Sequence, residues 1–332
     1  MTNMKPIIIC LTPVRNEAWC LDVFLQCTSL WADHIIIADQ NSTDGSREIA
    51  IKYSKVTLIE YNSNFYCENE RQKLLINESR KIEGDKILVA LDADEVFTAN
   101  FINTNDWHRI LHSKPGEVFG IQWANIWYDK EHYFSSKFYF PWVFHDDGIT
   151  EHKKYVKWIH SMRIPFPENA DSGYFKITEF KVLHFAWLDK NRFNSKNRYY
   201  QCLVCLNDSK EHFISLFRSY HLKNEKRKSI PQEWLQNYKN QKLDILQKLN
   251  ISISKYWYDN EVIDFFDKYG FPRFKYLDIW DKYWIEAMKD QIDIDDPRNS
   301  FIQLIHFYLR ASQKISNSFP IKVIDKILKK LL

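Results

Sequence analysis

Glycine is scarce, with seven residues in a chain of 332. That excludes collagen-like and glycine-rich repeat architectures. An excess of one charge is also missing, since 46 Lys+Arg stand against 43 Asp+Glu for a formal charge of +3. So small an excess gives no argument for nucleic-acid binding. No apolar run approaches the ~20 residues that cross a bilayer. The opening stretch MTNMKPIIIC is too short for the core and cleavage site of a signal peptide. The expectation is a protein neither classically secreted nor membrane-spanning. The six cysteines mostly lie in apolar runs, where a thiol behaves as a small core residue. Cys202-Leu-Val-Cys205 has half-site spacing, but no second CxxC or paired His motif follows. Two thiols on a helix face, in a reduced cytoplasmic setting, are expected. What the chain has in quantity is aromatic side chains, 12 Trp, 18 Tyr and 23 Phe. Such a composition belongs to a folded globular protein, long enough for one large domain plus a smaller one.

The first hundred residues repeat one pattern. Apolar, β-branched runs at Pro6–Leu11, His34–Ala38, Val56–Ile59 and Lys86–Leu91 alternate with stretches of helical period. Leu21, Phe24, Leu25 and Thr28 share one helical face, and 68–81 reads as a helix. Ser42 and Thr43 offer an N-cap for a helix carrying Ile49, Ala50 and Tyr53. Strands apolar on both faces between helices predict an α/β fold with a mostly parallel, Rossmann-like sheet. Alternation around Phe119, Ile121 and Trp123, and the aromatics up to Phe144, predict antiparallel strands or hairpins added to that sheet, with a last strand near 181–185. From Asp189 the chain is charged, aromatic and mostly helical in period. The division expected is 1–188 for the sheet domain and 189–332 for a mainly helical C-terminal region.

Ligands of an open parallel sheet bind beyond the carboxyl ends of its strands. Three of these strands end in polar clusters: Thr12–Glu17, Asp39–Gly45 and Asp92–Glu95. Two carboxylates one residue apart can share a cleft if a cation offsets their repulsion. Hard oxygen ligands suit Mg²⁺ or Mn²⁺, and Mg²⁺ completes its shell with substrate phosphates. A nucleoside diphosphate is then a natural ligand. The competing reading makes Asp92, Asp94 and Glu95 a solvated loop and the acidic first turn of a helix.

Pro13-Val-Arg-Asn-Glu17, Asp39-Gln-Asn-Ser-Thr-Asp-Gly-Ser46 and Leu91-Asp-Ala-Asp-Glu95, in this order, resemble family 2 glycosyltransferases of the GT-A fold. The resemblance covers about the first hundred residues and extends toward Tyr200. It implies transfer of a sugar from a nucleotide-sugar donor, a UDP-sugar foremost, to an acceptor hydroxyl, usually with inversion. By the same resemblance Pro13, Arg15 and Glu17 would lie along the nucleotide, Asp39 would pair with the base, and Arg71 would stand near the donor. Asp92 would approach ribose or metal, and Asp94 would bind the metal. Gln40 departs from the pattern, which often has a second Asp there. Leu183-His-Phe-Ala-Trp187 is similar to the later segment whose histidine completes the metal or diphosphate site, here His184. Arg192, Lys196 and Arg198 follow at helical spacing and could clamp a departing diphosphate; a solvated basic face is the alternative.

Inverting transfer needs a base beside the acceptor hydroxyl. Some relatives carry an acid directly after a His, but His160 is followed here by Ser161. Asp146 and Asp147 are the first candidates for catalytic base, with Glu151 and Glu168 next, although Asp-Asp-Gly is also an ordinary turn. Trp123, Trp127, Tyr128 and Trp142 could stack on sugar faces or simply fill the core. The acceptor would be a glycan or a lipid-linked molecule, in synthesis of a bacterial-type surface glycan. At the C-terminus, Ile321, Ile324, Ile327, Leu328 and Leu331 share a face, with four lysines around them. That pattern suits a helix resting on the inner face of a membrane, or one packed on the protein itself. Two other functions stay open. A nucleotidyltransferase of sugar phosphates usually has a glycine-rich first loop, which Leu11–Asn16 lacks. A non-catalytic carbohydrate-binding or scaffold protein would keep the fold with a degenerate site.

Overall fold

Three of the β-branched runs form strands buried along almost their whole length, as inner parallel strands under helices must be, while Val56–Glu60, the edge strand, is only partly covered. The computed structural model describes residues 5–63, 67–153, 161–167, 173–207, 211–221, 225–251 and 256–332. Strand β1 (Ile7–Val14) leads to helix α1 (Ala18–Thr28), then β2 (His34–Asp39), α2 (Ser46–Ala50) and β3 (Val56–Glu60). Helix α3 (Glu68–Ser79) and β4 (Lys86–Ala90) follow. β1 pairs in parallel with β2 and β4, and β2 with β3. The register Val14↔Asp39 and Leu11↔Ala90 brings the carboxyl ends of β1, β2 and β4 to one edge. Leu21, Phe24, Leu25 and Thr28 of α1 are buried against the sheet, as their spacing predicts.

After β4 the chain does not enter a helix. Asp92, Ala93 and Asp94 form a short turn into β5 (Glu95–Phe97), and α4 (Asn105–Leu111) comes later. The acidic-helix-start reading of 92–95 is therefore wrong. Strands β6 (Val118–Ile121), β7 (Trp123–Ile126), β8 (His132–Ser135), β9 (Phe140–His145), β10 (Phe175–Lys176) and β11 (Val182–His184) complete the middle of the chain. They divide between two sheets, where the sequence suggested additions to one. The larger has the order β10-β6-β9-β4-β1-β2-β3, with β9 antiparallel to both neighbours. The smaller runs β12-β8-β7-β11-β5, with β12 at Lys228–Ser229. The fold is α/β, with a mostly parallel central sheet, flanking helices and a helical C-terminal part.

The chain forms two compact units, 1–189 with 227–252, and 190–226 with 253–332. The simple boundary at 188 thus misses a returning segment, which holds β12, α7 (Glu233–Asn240) and α8 (Ile245–Lys248). That segment closes the core around Phe97, which packs against Trp31, Phe101, Trp107 and Phe180. The Tyr238 hydroxyl donates to the Phe97 carbonyl at 2.8 Å, the Ala99 N–H to Trp234 O at 2.7 Å, and the Asn250 N–H to Trp19 O at 3.0 Å.

The second unit holds α5 (Lys190–Asn207), α6 (Phe213–Tyr220), α9 (Trp257–Tyr269), α10 (Lys282–Met288), α11 (Ser300–Ser312) and α12 (Phe319–Leu331). Cys202 is buried and Cys205 half-buried on α5, and both are free thiols. Among the described residues no helix is long and apolar enough to cross a membrane.

Candidate active site

The polar loops after β1 and β2 are stitched to each other by side chains. Ser42 Oγ accepts from the Asn16 N–H, Ser46 Oγ from the Glu17 N–H, and Asp44 Oδ2 from the Ala18 N–H, each at 2.9 Å. Asn16 Oδ1 accepts from the Thr43 N–H at 2.7 Å. The unsatisfied donors at the start of α1 are therefore met from the neighbouring loop. This corrects the expected cap of α2: Ser42 serves the first loop, and Gly45 occupies the N-cap position of α2. Asn16 and Asn41 take positive φ, a conformation asparagine tolerates better than most residues. Arg15 and Glu17 sit in the loop so held, and Pro13 lies buried in β1 opposite Ala38. Glu17 Oε2 accepts from the Trp19 indole N–H at 2.6 Å.

Asp39 ends β2 with its side chain only 1% exposed. Its Oδ2 accepts from the Ser42 N–H at 3.2 Å and faces Arg47 Nη1 at 3.5 Å. Its Oδ1 is buried without a hydrogen-bond partner. Buried polar atoms are paired as a rule, so this oxygen is suited to an N–H from outside the chain. Gln40, where the family pattern often has an acid, accepts from Arg71 Nη1 at 3.2 Å. Arg71 thus has a neutral partner where a second carboxylate would stand.

At the end of β4 two of the three carboxylates meet a cation that the sequence did not single out. Arg163 donates to Glu95 Oε2 at 2.6 Å and Oε1 at 3.1 Å, and to Asp92 Oδ2 at 2.5 Å. It also lies over Trp142, 5.0 Å from the ring centroid. Burial disfavours the Arg163 charge, but Asp92 and Glu95 outweigh it and hold the pKa above its ordinary value. Glu95 is fully buried and accepts further from the Trp123 indole N–H at 2.7 Å and the Asp92 N–H at 3.0 Å.

Asp94 has a different neighbour. Antiparallel pairing of β5 with β11 sets Glu95 opposite His184, and parallel pairing of β11 with β7 sets His184 opposite Asn125. His184 Nε2 lies 3.7 Å from Asp94 Oδ2, and Asp94, Glu95 and His184 form a group whose ligand atoms lie within 4.8 Å of one another. Asn125 Oδ1 lies 2.8 Å from His184 Nδ1. An amide oxygen can only accept, so Nδ1–H donates to it and Nε2 is the ring nitrogen that faces Asp94. Trp123 stacks on the ring at 4.8 Å. A histidine whose Nδ1 is held by an amide oxygen and whose Nε2 faces a buried carboxylate has the arrangement of a metal-binding histidine with its outer partner. With Glu95 held by Arg163 and Trp123, the fitting ligand pair is Asp94 and His184. One carboxylate and one imidazole suit Mn²⁺.

Asp146 and Asp147 are not at this edge. β9 runs antiparallel to β4, so Asp146, just past its end, donates its N–H to Lys86 O at the start of β4. The four residue steps of β4 between Lys86 and Ala90 span about 13 Å, and Asp92 lies beyond them. Asp146 is buried in an ion pair with Arg80 at 2.7 Å. Burial raises the Asp147 carboxyl, but the Thr150 hydroxyl and the Thr150 and Ile149 N–H groups, which all donate to it in a turn, outweigh that and lower its pKa. The expected base is corrected accordingly: both acids are structural. Glu151 is exposed beside that same turn, and His160 and Glu168 lie outside the described residues. Arg192 and Lys196 lie on α5 of the second unit, Arg192 buried with its guanidinium 5.6 Å from the Tyr258 ring and Lys196 over Tyr200 at 5.8 Å. Arg198 is bound inside that unit by Asp259 at 3.0 Å.

Arg163 and Asn125 were missed because their partners are distant. Arg163 is 71 positions from Asp92, and Asn125 acquires meaning only from strand register.

No family model matches the chain, and no curated protein matches it. Among solved structures, it is similar to glucosyl-3-phosphoglycerate synthase from Mycobacterium tuberculosis in complex with Mn²⁺, UDP and glucosyl-3-phosphoglycerate. That likeness has 18% identity and a TM-score of 0.28, over 36% of this chain and 44% of that one. The same enzyme with Mn²⁺, UDP-glucose and phosphoglyceric acid gives 19% and 0.26 over the same shares. A further mycobacterial protein gives 17% and 0.27, over 36% and 41%. The chain thus spans less than half the length of these structures, at similarity too low to define its fold or activity.

Proposed function

We propose that this chain is a metal-dependent glycosyltransferase of the GT-A type, moving a sugar from a nucleoside diphosphate sugar to an acceptor hydroxyl with inversion. The observation that carries the reading is the Asp94–His184 pair, its tautomer fixed by Asn125, on the strand-end edge that also holds Asp39. Asp94 Oδ2 and His184 Nε2 would hold Mn²⁺, with Mg²⁺ the weaker fit to an imidazole. When bound, the ion would neutralise charge on the leaving diphosphate. The buried Oδ1 of Asp39 accepts a base N–H, as uracil offers, so UDP is the favoured nucleotide. Pro13, Arg15 and Glu17 border the nucleotide from a loop that Ser42, Asp44 and Ser46 hold rigid. Arg71, braced by Gln40, stands near the donor. Asp92 would orient the ribose once Arg163 shares it. The acceptor is a glycan or lipid-linked hydroxyl of a surface polysaccharide.

One observation favours a non-catalytic protein: Arg163 already occupies two of the motif's carboxylates. Thermal stabilisation by UDP, GDP, CDP, CMP and UTP, each with and without Mn²⁺, separates the readings. Glycosyl transfer expects stabilisation by UDP that depends on Mn²⁺ and on Asp94. Preference for UTP would point to nucleotidyl transfer, and no response to any nucleotide would leave the scaffold reading.

A further inference from the structure

The last two helices leave apolar side chains uncovered. α11 and α12 are fastened to each other and to α6 by one buried clamp. Arg218 donates to both oxygens of Asp325, at 2.9 and 3.0 Å, and to the Leu309 carbonyl and Ser312 Oγ, each at 2.8 Å. The Tyr308 hydroxyl adds a bond to Asp325 at 2.9 Å. The helix face that meets the unit is therefore Ile321 and Asp325, with Leu328 half-buried. The rest of the expected stripe is left outside. Phe301, Leu304 and Phe307 on α11, and Phe319, Ile327 and Leu331 on α12, are each more than half exposed. The spacing 301, 304, 307 makes a continuous row along one helix, and 324, 327, 331 does so along the other.

The charge beside these rows has one sign. Residues 300–332 carry Arg310, Lys314, Lys322, Lys326, Lys329 and Lys330 against Asp325 alone, a local excess of five in a chain whose total excess is three. The single acid is the one the clamp consumes. Lys322, Lys326 and Lys330 recur every four residues, forming a basic row on one helix face. Arg310 pairs with Asp278 of the same unit at 2.5 Å, which leaves the lysines of α12 beside the apolar rows, a pattern that complements a surface apolar inside and anionic at its rim. A second copy would bring the same positive rim against this one, which opposes self-association.

We propose that the α11–α12 hairpin docks on an anionic lipid bilayer, inserting Leu304, Phe307, Ile327 and Leu331 and setting its lysines among the headgroups. The surface needs both helices, so it is broader than the C-terminal stripe alone. The full-length protein is sedimented with vesicles of phosphatidylcholine alone and of phosphatidylcholine mixed with phosphatidylglycerol. Binding to the mixed vesicles only, weakened by salt, is expected. Each lysine at such a surface is worth about fivefold in partitioning, so Lys322→Gln/Lys326→Gln/Lys330→Gln should lose about a hundredfold. Phe307→Ser/Ile327→Ser/Leu331→Ser should abolish binding, and because the substituted side chains are exposed, both variants should melt as the wild type does. Failure of the wild type to bind mixed vesicles overturns the proposal, as does undiminished binding by both variants. A wild-type dimer that the serine variant dissociates, with no vesicle binding, would assign the face to self-association and overturn it equally.

Discussion

Arg163→Met removes the cation from Asp92 and Glu95 while keeping an unbranched side chain of similar length between them and Trp142. Glu95 is fully buried and takes two of its hydrogen bonds from Arg163. Breaking such a pair strands a carboxylate in a dry site, at a cost of about 3–5 kcal/mol. A domain of this size loses about 2–4 °C per kcal/mol, so melting should fall by about 10 °C. Adding Glu95→Gln removes the stranded charge and keeps an acceptor for the Trp123 indole. The double variant should therefore recover much of the loss, with a coupling of about 2–3 kcal/mol in the cycle. Urea unfolding followed by tryptophan fluorescence measures all four proteins under one condition. Mn²⁺ titration supplies a second readout, because a guanidinium bound to the neighbouring carboxylates repels an entering cation. Arg163→Met should bind Mn²⁺ more tightly when no nucleotide is present. A single variant as stable as wild type, or a double no better than the single, would refute the reasoning about Glu95.

Asn125→Ala frees the His184 tautomer and should weaken Mn²⁺ binding by about 10–100-fold by calorimetry, with Asp94 and His184 intact. Asp39→Ala should weaken UDP binding by about 1.5–3 kcal/mol in a protein that still folds; equal affinity in a titration would remove Asp39 from the site. Asp146→Asn should lower the unfolding midpoint in urea and leave Mn²⁺ and UDP binding unchanged, whereas lost binding would restore it to the site. Burial pushes the Asp278 carboxyl up, but hydrogen bonds from His221 and His306 and the Arg310 charge outweigh it, so its folded pKa lies below the unfolded value. Its contribution to stability is complete above about pH 4 and fades as the pH falls through the folded pKa. Acid titration of the melting temperature should be shallower in Asp278→Asn, and identical curves would remove this group from the acid limb.

The alternating strands and helices of the first hundred residues could be read because each is decided locally. A run such as Ile35-Ile-Ile37 can only be buried, and Leu21, Phe24, Leu25 and Thr28 have one face to bury. The strand-end position of Asp39 followed from the same reading. The second sheet could not be read. Strands β5 and β11 have three residues each, too few to show a period, and they acquire partners only through long-range register. Asp146 was misplaced for the same reason: a carboxylate after a strand faces the site or its opposite edge according to strand direction. The stretch up to Phe144 reads as antiparallel, but which strand β9 joins, and so which edge its end reaches, is decided by topology. Arg163 escaped because a lone arginine gains its meaning from two acids that reach it across the fold.

Residues 227–252 give the first unit a delayed completion. On a ribosome, Asp39 at the end of β2 and Asp94 in the turn after β4 emerge well before the segment that supplies Trp234, Tyr238 and Asn250. Until that segment appears, the Phe97 carbonyl, the Ala99 N–H and the aromatic cluster beneath them lack their native cover. The nascent chain must therefore hold an unfinished, sticky surface while residues 190–226 pass through the exit tunnel. A fragment stopped at residue 188, however complete its sheet, keeps that surface permanently. Excising the second unit while joining 189 to 227 is the cut that respects how the chain is woven.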